Sequence, residues 1–138
     1  PSKVKLEGTF RAMDEDWRKE AHEIIRSICQ SVASHYGASC QVDIKVGYPF
    51  LENDKSLTET CYKNAQEYVV PEKVVLIPER MTAEDFAYYT HYVPSCFYRL
   101  GVGFKGEDEK LLHNPYFDID EAALEVSVGL MAYLAIHT

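Results

Sequence analysis

The chain has 138 residues, a formal net charge of -8 and 46% hydrophobic residues. That length suits one domain or two small half-domains, and the apolar content argues against wholesale disorder. The acidic balance disfavours nucleic acid, which needs a basic face, and no apolar run approaches the ~20 residues that span a bilayer.

Residues 3–11 alternate, with Val4, Leu6 and Phe10 on one face and Lys3, Lys5, Glu7, Thr9 and Arg11 on the other. This predicts a half-exposed strand, starting with no signal-peptide leader before it. From Asp14 to Tyr36, Trp17, Ala21, Ile24, Ile25, Ile28 and Val32 recur at helical spacing. Asp14, Glu15 and Asp16 suit the positive end of that helix, and Gly37 stands where it should stop. Residues 39–47 alternate again, with Cys40, Val42, Ile44 and Val46 on one face. A strand, a helix and a strand fit half of a ferredoxin-like unit, whose core is too thin to stand alone.

Tyr48-Pro49-Phe50-Leu51-Glu52-Asn53-Asp54 breaks the pattern and reads as a crossing to a second part. Residues 56–68 predict a helix, and Val74-Val75-Leu76-Ile77, closed by Pro78, a strand buried on both faces. Thr82 reads as the N-cap of a further helix, with Asp85 three residues on, ended by Val93-Pro94. Residues 97–102 predict a strand. Residues 120–137 predict a terminal helix, apolar on most sides and so buried. The whole is an α/β chain. Its cysteines, Cys29, Cys40, Cys61 and Cys96, form no Cys-x-x-Cys pair and read as buried free thiols of a reducing cytosol.

Gly101-Val102-Gly103-Phe104-Lys105-Gly106 has the spacing of a dinucleotide loop. Glu107-Asp108-Glu109-Lys110 follows where a helix should open, and its acids would repel a pyrophosphate. The glycines read instead as turn formers. No nucleophile elbow, Walker sequence or His-Glu-x-x-His is present.

The strongest candidate is His113, in Leu112-His113-Asn114-Pro115 ahead of Phe117-Asp118-Ile119-Asp120-Glu121. A loop histidine restrained by Pro115 suits a metal ligand or catalytic base, and the following acids could orient its second nitrogen. The plainer reading is a surface histidine, with Asp120 capping the next helix. Thr82, Ala83 and Glu84, with Asp85, lie at a predicted helix start, whose free N–H groups could accept a carboxylate; capping is the alternative. Arg11 could grip a carboxylate in a fork, or be a lone surface arginine. His22, His35, His91 and His137 carry no partner pattern.

Five segments, in order, resemble the C-terminal part of the metal-dependent amidohydrolases: the aminoacylases, hippurate hydrolases, carboxypeptidase-G-type enzymes and auxin-conjugate hydrolases. They are Leu6-Glu7-Gly8-Thr9-Phe10-Arg11, Tyr48-Pro49, Asn53-Asp54-Lys55-Ser56-Leu57-Thr58, Met81-Thr82-Ala83-Glu84-Asp85-Phe86, and the His113 segment through Glu121.

The resemblance implies a two-domain, di-metal enzyme. Residues 1–48 would be the second half of a ferredoxin-like lid, used for homodimerisation, and residues 49–138 the closing part of the catalytic α/β domain. His113 would ligate one of two divalent metals, zinc first, with manganese, cobalt or nickel as alternatives. Arg11 would bind a substrate carboxylate, and Thr82, Ala83 and Glu84 would line the substrate pocket. The general-base glutamate and the other ligands would lie upstream of Pro1, so no catalytic residue is expected in this chain, which reads as an inactive fragment. The implied reaction is hydrolysis of N-acyl amino acids or small peptide-like amides, in the cytoplasm, without nucleic acid or membrane. A non-enzymatic ferredoxin-like dimerisation or ligand-binding module with an α/β extension is the alternative.

Overall fold

A computed structural model describes residues 1–106 and 110–138. The elements are α1 (Glu15–His35), α2 (Lys55–Tyr68), a 3-10 turn (Pro71–Lys73), α3 (Ala87–Thr90) and α4 (Ala122–His137). The chain divides into two compact units: Pro1–Glu52 with Pro78–Tyr92, and Asn53–Ile77 with Val93–Thr138.

In the first unit, α1 starts where its acids predict. The Asp14 carboxylate accepts a hydrogen bond from Trp17 N at 2.8 Å, a cap of the kind that contributes about 1 kcal/mol. The helix ends at His35, and Gly37 follows in the left-handed region (φ +70°). Glu15 and Arg18 form an ion pair one turn apart. Arg18 also donates to Tyr48 O at 2.8 Å, while Glu15 accepts from Phe50 N at 3.0 Å. The Tyr-Pro-Phe segment is thereby pinned to the first turn of α1. His91 bonds to Phe50 O at 3.1 Å, and the Tyr48 ring meets Tyr88 edge-on at 5.9 Å. These contacts hold the 81–91 segment by its far end, with Ala87 fully buried.

In the second unit, α2 packs on α4 and on the 3-10 turn. Asp54 caps α2 by accepting from Leu57 N at 2.7 Å. Ala65, Leu130 and Leu134 form the core, with Cys61, Val74, Tyr98 and Leu100 against it.

Several expectations need correction. The expected strands at 3–11, 39–47, 74–77 and 97–102 do not form: among the described residues there is no strand. Alternation states which face a segment would bury, but a strand exists only where a neighbour supplies ladder bonds. These segments have none among the described residues; Leu6 and Leu76 stay exposed, while Val74, Tyr98 and Leu100 pack against the core without pairing. The helix expected from Thr82 is only the single turn Ala87–Thr90, with Phe86 at its N-cap position and no side-chain cap. α4 forms as predicted, yet only Leu130 and Leu134 on it are buried, while Leu124, Val128, Met131 and Ile136 are exposed. α2 covers only one of its faces. Cys40 is exposed rather than buried. No helix among the described residues is long and apolar enough to cross a membrane.

Candidate functional site

His113 sits in the second unit on a tight turn. Asn114 N donates to Leu111 O at 3.3 Å, and Phe117 N to Asn114 O at 2.9 Å. The Asn114 side chain accepts from Tyr116 N at 2.9 Å, closing the loop around Pro115. This places His113 at φ +66°, the only non-glycine residue with positive φ among those described. An L-residue there costs on the order of 1 kcal/mol, and such strain clusters at functional positions. The ring is exposed.

The acids that might orient its second nitrogen are engaged elsewhere. Asp118 pairs with Lys110 at 3.6 Å and accepts from Ile119 N at 2.9 Å. Asp120 accepts from Ala122 N at 3.0 Å, while its own N donates to Val102 O at 2.8 Å; the N-cap position of α4 is Glu121 rather than Asp120, and it has no side-chain cap. Among the described residues no three His, Cys, Asp or Glu side chains gather as a metal site.

Arg11 belongs to the first unit and is exposed, without an ion pair among the described residues. It differs in this from Arg18 and Arg26, which are tied to Glu15 and Glu23. Its neighbour Phe10 packs on Trp17, ring centres 5.4 Å apart, so the backbone beside Arg11 is anchored to α1. Thr82, Ala83 and Glu84 also lie in the first unit. Glu84 O accepts from Ala87 N at 3.3 Å, which makes this segment the turn leading into α3. No ion pair joins Arg11 to Glu84 among the described residues.

In the glycine loop, Gly106 has φ +83°, and Lys110 Nζ stands 4.6 Å from the Phe104 ring centre. The acids Glu107, Asp108 and Glu109 lie outside the described residues.

Sequence reading missed one cluster in the second unit. Asn53 clamps the backbone of Phe97 twice, donating to its O at 2.9 Å and accepting from its N at 2.8 Å. Asp54 N donates to Ser95 O at 2.8 Å. Cys96 lies between these anchors and is half-buried. Burial pushes its thiol above the ordinary 9.0, with Thr58 opposing the rise and Cys61 adding to it. The Tyr98 phenol is raised by burial and by the same two thiols. Tyr133 is raised chiefly because it donates to Glu67, at 3.1 Å. Only the spacing of Thr58 and Cys61, three residues apart on one helix face, hinted at this cluster.

Residues 4–137 match Peptidase family M20/M25/M40. The chain belongs to that family. It is 32% identical to a probable hydrolase of Synechocystis over 96% of this chain and 34% of the relative. It is 28% identical to an N-acetylcysteine deacetylase of Bacillus subtilis, over 99% of this chain and 34% of the relative. An Arabidopsis thaliana relative named as an IAA-amino acid hydrolase is also 28% identical, over 98% of this chain and 30% of its own length. The chain thus spans about a third of the length of these relatives. Solved structures gave no significant match. Membership of the family points to an α/β amidohydrolase fold, of which the described residues show the helices but no sheet.

Proposed function

We propose that the protein carrying this chain hydrolyses the amide bond of N-acyl amino acids or small peptide-like amides with a free carboxylate. The family match along residues 4–137 carries this reading. Relatives named as deacetylases and as an amino-acid-conjugate hydrolase share that bond type.

In this reading the enzyme has two domains, with residues 1–48 in a lid that also dimerises and residues 49–138 in the catalytic domain. It works in the cytoplasm with two divalent metals, zinc first. His113 is the ligand that this chain supplies. Its backbone holds an exposed imidazole in a conformation that a histidine adopts only at a cost. One histidine does not make a catalytic metal site, which needs about three protein ligands. The described residues therefore do not by themselves fit the metal pair. Arg11 takes the substrate carboxylate, supported by its exposed guanidinium and anchored backbone. Thr82, Ala83 and Glu84 line the substrate pocket.

The test is amine release by the full-length protein from a panel of N-acetyl and longer N-acyl amino acids, with zinc, manganese, cobalt or nickel added. Release from at least one member, abolished by a chelator and restored by metal, is expected. No release from any pairing would overturn the proposal.

A further inference from the structure

We propose that the free face of α4, together with the apolar segment 74–77, is the seat of a β-layer supplied by the same polypeptide from outside residues 1–138.

α4 carries two stripes of identical spacing, one residue apart in sequence. Ala123, Ser127, Leu130 and Leu134 form the covered stripe, and its two leucines pack with Ala65 of α2. Leu124, Val128, Met131 and Ala135 form the second, about 100° further round the helix. All four are exposed, Val128 by 70% and Met131 by 58%. A helix side that faces water ordinarily carries charge. From Ala122 to Ile136 the one charged residue is Glu125. At the edge of the free stripe the Tyr98 phenol donates to the Met131 sulfur at 3.8 Å. Val74 packs against the core that holds Leu130 and Leu134, so the segment 74–77 sets out from beside α4. Val75, Leu76 and Ile77 follow it, apolar and exposed. Consecutive apolar residues suit a strand covered on both faces, and among the described residues no ladder partner reaches them.

Three observations select the occupant. The chain spans about a third of the length of its relatives, so a polypeptide of their size has most of its length elsewhere. The family points to an α/β fold, in which helices lie on a sheet, and the described residues hold helices without one. A second copy is the weaker fit, because a net charge of -8 on each chain opposes their approach. The inference rests on the reading of residues 49–138 as part of a larger catalytic domain, and not on the reaction proposed for it.

The full-length protein is prepared with photo-methionine, a diazirine analogue, in place of methionine and irradiated in dilute solution. Cross-links from position 131 are expected to join it, within one molecule, to peptides outside residues 1–138. In the unlabelled protein, hydrogen peroxide should oxidise Met131 at least about 10-fold more slowly than in urea, at every protein concentration. Cross-links between two molecules, cross-links confined to residues 1–138, or oxidation at the rate found in urea would each overturn the proposal. Amine release by a protein whose Met131 is open would sink this inference alone. A covered Met131 without amine release would sink the proposed reaction alone.

Discussion

Gly129 of α4 lies directly under the phenol of Tyr68, the last residue of α2. A Cβ built on Gly129 would fall onto the Tyr68 hydroxyl and 2.9 Å from its Cζ. The Tyr68 ring in turn leans on Tyr133, centres 5.3 Å apart. A glycine inside a helix costs about 1 kcal/mol relative to alanine. Here it permits the approach of the two helices. Gly129→Ala forces the Tyr68 phenol, the far end of an exposed side chain, to move, which should cancel much of the helix gain of about 1 kcal/mol. In a Tyr68→Ala background the same change should stabilise by the full amount, about 1 kcal/mol. Urea unfolding of the four proteins checks that difference; equal effects in both backgrounds would contradict it.

The turn at His113 separates strain from function. His113→Gly relieves about 1 kcal/mol of left-handed strain. Glycine's own backbone entropy offsets this by roughly 0.5–1 kcal/mol, so stability should hardly change. Bound metal and hydrolysis should both fall by at least about 100-fold, since even residues that merely orient a ligand are worth 10–100-fold. Metal analysis and assay of the full-length variant test this. Retention of both would remove His113 from the metal site.

Arg11→Ala should weaken the preference for a carboxylate substrate over its carboxamide by roughly 10- to 100-fold, the worth of a charged hydrogen bond. The ratio of the two kcat/KM values is the readout. An unchanged ratio would leave Arg11 without that role.

Asn53→Ala removes both hydrogen bonds to the part-buried backbone of Phe97. A loss of about 2–3 kcal/mol is expected from two such bonds. Asn53→Asp keeps the acceptor and loses the donor, so it should fall between. A shift in urea midpoint at constant slope is the check.

Cys96 makes stability depend on alkaline pH. Its folded thiol titrates above the ordinary 9.0. Below that value both states keep the proton, and stability is unaffected. As pH rises past it the unfolded chain releases its proton first, so the folded state binds more protons and stability falls until the folded thiol also ionises. Cys96→Ser should flatten urea midpoints across that window while leaving the fall above pH ~10 due to tyrosines. An identical profile in wild type and variant would show that Cys96 does not contribute.

Much of this protein could be read without coordinates. The start of α1 at Asp14, its stop before Gly37, and α2 from Lys55 to Tyr68 follow from caps and periodicity acting over three or four residues. The His113 turn is local in the same sense, since Asn114 and Pro115 shape it from adjacent positions. Family membership was legible in short segments spread along the chain. What depended on tertiary structure involves residues far apart. The Asn53 clamp spans 44 residues and the Glu15–Phe50 bond 35. The close pass of Gly129 under Tyr68 carries no local pattern at all. The alternating segments mark the limit from the other side. Periodicity assigned them a face, but a strand requires ladder bonds from a neighbour, and no described segment supplies them.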